Sequence, residues 1–147
     1  MRVIIDADAC PVVRIAERIS RDYSVECTLV CDTAHVMKSD YSNVITVDKG
    51  ADSADYKIVN MLSKGDVIVT QDYGLAAMCI SRGAHAINQN GMIYSNDNID
   101  GLLFFRAAST KARRAGKHLK GPKKRTAEQD IAFEKAFTDL IKTTRES

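Results

Sequence analysis

The chain predicts an α/β fold of three layers, α/β/α, around a mostly parallel central sheet. Two observations carry this. Val3-Ile4-Ile5 and Val67-Ile68-Val69 are short unbroken apolar runs, the pattern of strands buried on both faces. Such runs alternate with stretches whose apolar residues recur at helical spacing, which implies βαβ units and right-handed crossovers. A third observation points at function. Both runs lead into acids, at Asp6 and Asp8 and at Asp72, and open α/β sheets bind ligands outside the carboxyl ends of their strands.

Arg2–Ile5 is the first strand. Pro11 suits the first position of a helix in which Val12, Ile15, Ala16 and Ile19 keep the period. Val25–Cys31 is the second strand, with β-branched residues at Val25, Thr28 and Val30. Asp32–Asn43 is polar and aperiodic, hence a loop, and Val44–Val47 is a short third strand. After a turn at Asp48–Asp52, Ser53 caps a helix carrying Ile58, Val59 and Leu62, with Gly65 closing it. Val67–Thr70 is the fourth strand. A helix over Tyr73–Arg82 follows, with Leu75, Met78 and Cys79 inward and Gly83 at its end. His85–Ile87 and Met92–Tyr94 read as two strands around Asn88-Gln89-Asn90-Gly91, because Asn-Gly favours a tight turn. Leu102, Leu103 and Phe105 open another helix, which becomes basic from Lys111. Gly116 and Gly121-Pro122 interrupt the basic stretch. Thr126 and Gln129 have capping-box spacing and start a last helix at about 127–143, with Phe133, Phe137, Leu140 and Ile141 on one face. There is no internal repeat and no linker between two cores, so residues 1–147 are expected as one domain.

Composition narrows the class. An apolar content of 45% with 27% charged residues fits a globular chain. No apolar stretch approaches the roughly 20 residues of a membrane helix, so no membrane partner is expected. Val3-Ile4-Ile5 is interrupted at once by Asp6 and Asp8, unlike a signal peptide, which points to the cytosol and to reduced thiols. Cys27, Cys31 and His35 match no common zinc spacing, and Cys10 and Cys79 lie in separate apolar contexts. Small buried thiols are the better reading. His35, His85 and His118 show no partner pattern.

The acids form three groups. Asp6 and Asp8 are two apart and would share one face of an ideal strand. Turn chemistry ahead of the helix accounts for one of them, more readily Asp8. Asp52 and Asp55 flank Ser53 at a helix start, where the dipole already favours acids. Asp72 has an ordinary role as N-cap of the next helix, and Thr70 could orient a carboxylate or a water. Taken together they suggest a site for Mg²⁺ or Mn²⁺, since a hard cation relieves the repulsion of clustered carboxylates.

Charge is unevenly spread. Nine of the 21 Lys and Arg residues fall between Arg106 and Arg125, with no Asp or Glu among them, so the remainder holds twelve against 19 acids. Arg106, Lys111, Arg113, Arg114, Lys117, Lys120, Lys123, Lys124 and Arg125 suggest a polyanionic partner, nucleic acid and RNA in particular. Aromatic residues are absent between Phe105 and Phe133, so the segment should grip backbone rather than stack on bases. No Walker loop and no G-x-G-x-x-G is present, so a nucleotide cofactor is not indicated.

Asp6-Ala7-Asp8-Ala9-Cys10-Pro11, Gly50-Ala51-Asp52-Ser53-Ala54-Asp55, Gly65-Asp66-Val67-Ile68-Val69-Thr70-Gln71-Asp72 and Gly121-Pro122 resemble the signatures of the bacterial YaiI/YqxD family over nearly the whole chain. That family is similar to the PIN-like nuclease superfamily, whose α/β/α domains hold Mg²⁺ or Mn²⁺ on acids at strand ends and cleave RNA with an activated water. The resemblance implies a PIN-like domain in which Asp6 is the first-strand acid, Asp52 or Asp55 the helix acid, and Thr70-Gln71-Asp72 the Thr-x-Asp after the fourth strand. Gly74 departs from the longer Thr-x-Asp-x-Asp pattern, and Asp8 is an extra acid.

Metal-activated hydrolysis by Asp6, Asp8, Thr70 and Asp72, with metal also on Asp52 or Asp55, is the first expectation. A haloacid-dehalogenase-type phosphatase with Asp6 as nucleophile and Asp8 as acid/base is the second. It lacks a later Gly-Asp-x-x-x-Asp motif, since residues 101–127 contain no acid. A non-catalytic RNA-binding module is the third.

Overall fold

The computed structural model describes residues 1–33, 37–50, 53–114, 116 and 124–146, and their side chains except those at 106, 110 and 112–114. In chain order the elements are β1 (Arg2–Asp6), α1 (Val13–Asp22), β2 (Glu26–Asp32), β3 (Asn43–Val47), α2 (Ser53–Met61), β4 (Val67–Val69), α3 (Tyr73–Ser81), β5 (His85–Ile87), α4 (Asn96–Arg114) and α5 (Ala127–Arg145). The strands form one all-parallel sheet of order β3-β2-β1-β4-β5. The chain therefore runs outward from β1 on one side and returns to β4 on the other. Right-handed crossovers then place helices on opposite faces.

The core follows strand alternation. Val3, Ile5, Leu29, Val67 and Val69 face one layer, closed by Val12, Ala16 and Ile19 of the α1 side and by Phe133, Phe137 and Ile141 of α5. Ile4, Val30 and Ile68 face the other, closed by Ile58 of α2, by Leu75, Ala76 and Cys79 of α3, and by Ile99 of α4. Buried apolar residues appear on both faces, the condition under which a parallel strand reads as a continuous apolar run. Phe133 and Phe137 stack with ring centroids 5.2 Å apart. Cys27 and Cys31 belong to the first layer and Cys79 to the second, all buried and free of disulfides. His35 and His118 lie outside the described residues, and His85 is exposed at the start of β5.

Asp66 fixes where β1 and β4 begin. It is 2% exposed. Its carboxylate accepts the Arg2 amide at 3.1 Å, the Arg2 Nε at 3.2 Å and the Ser63 amide at 2.9 Å. The Arg2 guanidinium also donates to the Met61 carbonyl. A buried carboxylate is tolerable with this many donors.

Several elements differ from the sequence expectation. Pro11 is not the first helical residue: α1 begins at Val13, and Val12 at the cap makes no side-chain bond. α2 stops at Met61 rather than Gly65, because Asp66 takes the Ser63 amide and pulls the chain into a turn. Ser53 is the first residue of α2, and the cap position before it lies outside the described residues. Met92–Tyr94 is not a strand. It makes one antiparallel bridge, Ile87 to Ile93, because the Asn88 side chain takes the amides of Asn90 and Met92 at 2.9 and 2.8 Å. Gly91 in that turn has φ +87°, and a Cβ there would sit 2.6 Å from the Ala132 carbonyl oxygen of α5, so only glycine fits. α4 starts at Asn96, six residues before Leu102. Ser95 and Asn98 exchange bonds there, Ser95 amide to Asn98 Oδ1 at 2.8 Å and Asn98 amide to Ser95 Oγ at 3.3 Å. The Thr126–Gln129 capping box is present at the start of α5.

Replacing Asp66 with Ala leaves the Arg2 and Ser63 amides and a partly buried guanidinium without their acceptor. The expected loss is about 3 kcal/mol of unfolding free energy, measured by urea denaturation. A loss under about 1 kcal/mol would show that water replaces the carboxylate at no cost.

Candidate active site

β1 ends on Asp6, and β4 ends one residue before Thr70. The pairing of Ile5 with Val69 sets these next residues side by side. Between β1 and β4 the strand order reverses, which is the switch point where open α/β sheets leave a crevice. Asp6 and Thr70 continue the alternation of Ile4 and Ile68, so both belong to the α2–α3 face.

Thr70 is buried and orders the site. Its Oγ1 donates to Asp6 Oδ2 at 2.9 Å and accepts the Asp72 amide at 3.0 Å. The amide can only donate, so the hydroxyl proton points at Asp6. The Thr70 carbonyl accepts the Tyr94 hydroxyl at 3.2 Å. Burial, with Asp72 and Tyr73 adding to it, pushes the Tyr94 phenol up to about 12, so it remains a donor.

Asp72 is the N-cap of α3. Its Oδ1 accepts the Gly74 amide at 2.8 Å and the Leu75 amide at 3.2 Å. Gly74, where a longer acidic pattern would place another carboxylate, is crowded: a Cβ there would lie 3.1 Å from that same Oδ1. Turn chemistry suggested that Asp8 serves amides ahead of α1; among the described residues it accepts an amide of β2 instead. The strand ends at Asp6, and Asp8 reaches across to β2, where its two oxygens lie 3.3 and 3.0 Å from the Asp32 amide. Gln71 Nε2 donates to the Ala9 carbonyl at 2.8 Å and closes the turn after β1 onto the residues after β4. Ala9 is held at φ 58°, a conformation that L residues rarely adopt.

Asp55 stands in the first turn of α2. Asp52 lies outside the described residues. Asp6 is influenced by the other acids. Burial first, with Asp55, Asp8 and Asp72 adding to it and the Thr70 hydrogen bond opposing it, pushes the Asp6 carboxyl up to about 6. Asp6 is thus the focus of a carboxylate cluster.

Among the described residues no three His, Cys, Asp or Glu side chains form a ready metal-holding group. Asp72 is turned to its cap and Asp8 to the Asp32 amide. The donors are nonetheless carboxylate oxygens, the kind a hard divalent cation takes, and such an ion would offset the repulsion centred on Asp6. Asp6, with Asp8, Asp55 and Asp72, would hold it.

A family model described as "Uncharacterized BCR, YaiI/YqxD family" matches residues 4–143. The chain belongs to the YaiI/YqxD family. A UPF0178 protein of Clostridium acetobutylicum is 50% identical over 143 residues, covering 96% of this chain and 97% of that protein. UPF0178 proteins of Ruminiclostridium cellulolyticum and Exiguobacterium sibiricum are each 49% identical, over 146 residues (99% of this chain, 95% of that protein) and 141 residues (96% of each). No solved structure matches the chain.

In this YaiI/YqxD member the basic residues divide. Lys111 and Lys124 are exposed. Lys117, Lys120 and Lys123 lie outside the described residues, as do the side chains of Arg106, Arg113 and Arg114. Arg125 is a brace rather than a free cation. Its guanidinium donates to Asp130 Oδ1 at 2.7 Å, Asn90 Oδ1 at 2.8 Å and the Gln89 carbonyl at 2.6 Å. Burial raises the Cys10 thiol, Asp6 raises it further and Arg125 lowers it, so Cys10 feels both. Spacing alone did not find Tyr94, Gln71 or the Asp32 amide. Gln71 lies inside the Thr-x-Asp signature, whereas Tyr94 and Asp32 reach the site only through the fold.

The raised Asp6 carboxyl sets a pH dependence. Below 3.8 both folded and unfolded chains carry the proton. As pH rises the unfolded chain releases it first, and the stability from this group is lost through the folded value of about 6. Above that the native state carries a cost on the order of 3 kcal/mol. Asp6→Asn, which keeps an acceptor for Thr70, should therefore stabilise the protein above pH 7 and change little near pH 4. Urea midpoints of both proteins across that range check it. A gain independent of pH would place the cause elsewhere.

Proposed function

We propose that this protein is a divalent-metal-dependent phosphodiester hydrolase acting on RNA. One observation carries the reading: a half-buried carboxylate, Asp6, stands at the β1–β4 switch point, its proton affinity raised by burial and further by Asp55, Asp8 and Asp72. A cluster kept at that cost has a purpose if a cation completes it. A bound Mg²⁺ or Mn²⁺ would supply a water of lowered pKa and stabilise charge on the leaving oxygen. Asp6 would hold the ion, and the Thr70 hydroxyl would keep its carboxylate oriented. Asp8 and Asp72, each anchored on a backbone amide, would flank it. Asp55 at the start of α2 would meet it from the helix side.

The resemblance to PIN-like nucleases supports the same assignment, with Asp6 after the first strand, Asp55 on a helix, and Thr70 and Asp72 after the fourth strand. The exposed Lys111 and Lys124, with Lys117, Lys120 and Lys123 between them, would attract the phosphate backbone. Arg125 would hold the start of α5.

Millimolar Mn²⁺ or Mg²⁺ should raise the melting temperature of the wild type, since a ligand bound only by the native state stabilises it. Asp6→Asn should abolish the rise and reduce cleavage of a fluorescently labelled single-stranded RNA by at least about 100-fold. Calorimetry without a metal-dependent shift in the wild type, or an Asn variant of normal activity, would sink the proposal.

Lys111→Ala/Lys123→Ala/Lys124→Ala should weaken RNA binding alike for unrelated sequences and leave the melting temperature unchanged. Arg125→Ala should lower that temperature by several degrees, because it strips three hydrogen bonds from the body. Binding titrations and thermal melts separate the two roles. Equal melting temperatures for all variants would refute the brace.

A further inference from the structure

A cleft of about 380 Å³ opens on the α1 layer, away from the carboxylate cluster. One wall is α1, which contributes Arg14, Arg18 and Arg21, and the other is the segment carrying Lys38 and Asp40. The three arginines follow i, i+4, i+7 spacing. They therefore share one stripe of the helix and span about 10 Å along its axis.

Glu17 lies in the cleft too, but its charge is already engaged. It is 7% exposed. It accepts Arg14 Nη1 at 2.6 Å, Ser42 Oγ at 2.7 Å and the Ser39 hydroxyl. Burial pushes its carboxyl up, yet these bonds outweigh burial and hold it below the usual range. Glu17 thus serves as a fixed anchor between α1 and the 38–42 segment. Arg18 pairs with Glu134 at 3.2 Å with both side chains half-exposed, a contact that water screens and a stronger anion can displace. Arg21 lies 5.4 Å from the centroid of the Tyr41 ring, whose hydroxyl is tied to the Val25 carbonyl at 2.5 Å. The ring orders the guanidinium without neutralising it.

Both walls follow closely in sequence on residues of the candidate active site. α1 begins five residues after Asp8, and the 38–40 segment belongs to the connection that leaves β2 at Asp32, whose amide Asp8 holds. We propose that this cleft binds the phosphate backbone of a single-stranded nucleic acid that extends from the carboxylate cluster. With Arg14 held by Glu17, the cations left for a ligand are Arg18 and Arg21 on one wall and Lys38 on the other, which outnumber Asp40 and suit phosphates spaced along a strand. The identity of this polyanion rests on the phosphodiesterase reading, whereas the contact itself requires neither metal nor cleavage.

The test is fluorescence anisotropy of the full chain with two unrelated labelled 12-nucleotide RNAs, in EDTA, over a series of KCl concentrations. The cleft variant is Arg18→Gln/Arg21→Gln/Lys38→Gln. Arg14 is kept because it holds Glu17. The control is Lys57→Gln/Lys64→Gln/Arg82→Gln, an equal change of charge on the α2–α3 side. The cleft variant should bind about 10-fold or more weakly, with its log–log salt slope reduced by about 2, the value for three lost phosphate contacts on a single strand. The control should stay within about two-fold of the wild type. Equal losses in both variants would reduce the effect to net charge, and no loss in the cleft variant, or no RNA binding by the wild type, would equally overturn the proposal. If the triple variant melts early, Lys38→Glu alone reverses one wall charge and must weaken binding for the cleft to stand. Failure of the hydrolase reading looks different: the wild type binds RNA through the cleft but cleaves none with Mn²⁺, and the proposal survives.

Discussion

The register between β1 and β4 is the constraint on which everything else here depends. These strands are far apart in sequence and join only because β4 enters the sheet on the side of β1 opposite β2. Asp66 pins their amino ends by holding the Arg2 amide and side chain. From that point the pairing Val3–Val67, Ile4–Ile68, Ile5–Val69 is forced, and Thr70 arrives beside Asp6. A slip of one residue would turn Thr70 to the other face. The core enforces the same alignment, because Val67 and Val69 belong to one layer and Ile68 to the other.

This arrangement sets stability against electrostatics at one edge of the sheet. Apolar burial along β1 and β4 carries the strands to their carboxyl ends, and there the chain holds acids together. Thr70 softens the conflict by donating to Asp6, and backbone amides do the same for Asp8 and Asp72. Each acid has a local reason to be where it is. What no local reason explains is that Asp55, Asp8 and Asp72 all act on Asp6, adding to the rise that burial gives its carboxyl.

Much of this was legible in the sequence, and the limit is physical. Apolar runs mark β1 and β4 because both their faces are buried, and the Thr126–Gln129 box and the Asp72 cap depend on residues two or three apart. The end of α2 was not legible, since it is set by Asp66 through a turn that competes with the helix. Nor was the irregular path of Met92–Tyr94, where the Asn88 side chain takes amides that a strand would have used. Asp8 and Arg125 show the same limit in the site. Their types suggest a turn and a basic patch, whereas their bonds run to Asp32 and to the Gln89–Asn90 turn, residues that only the folded chain brings near.

The placement of α5 has a consequence for how the molecule is made. Its Phe133, Phe137 and Ile141 complete the layer begun by α1, whose other members include Val3, Ile5 and Leu29 near the amino end. A nascent chain emerging amino end first can pair its strands and cover the α2–α3 face before α5 has been synthesised. The opposite face of the sheet, covered in part by α1, must wait for α5. Until then the part not covered by α1 offers an apolar surface to chaperones or to a neighbouring chain, and the docking of α5, not sheet formation, is the event that seals it.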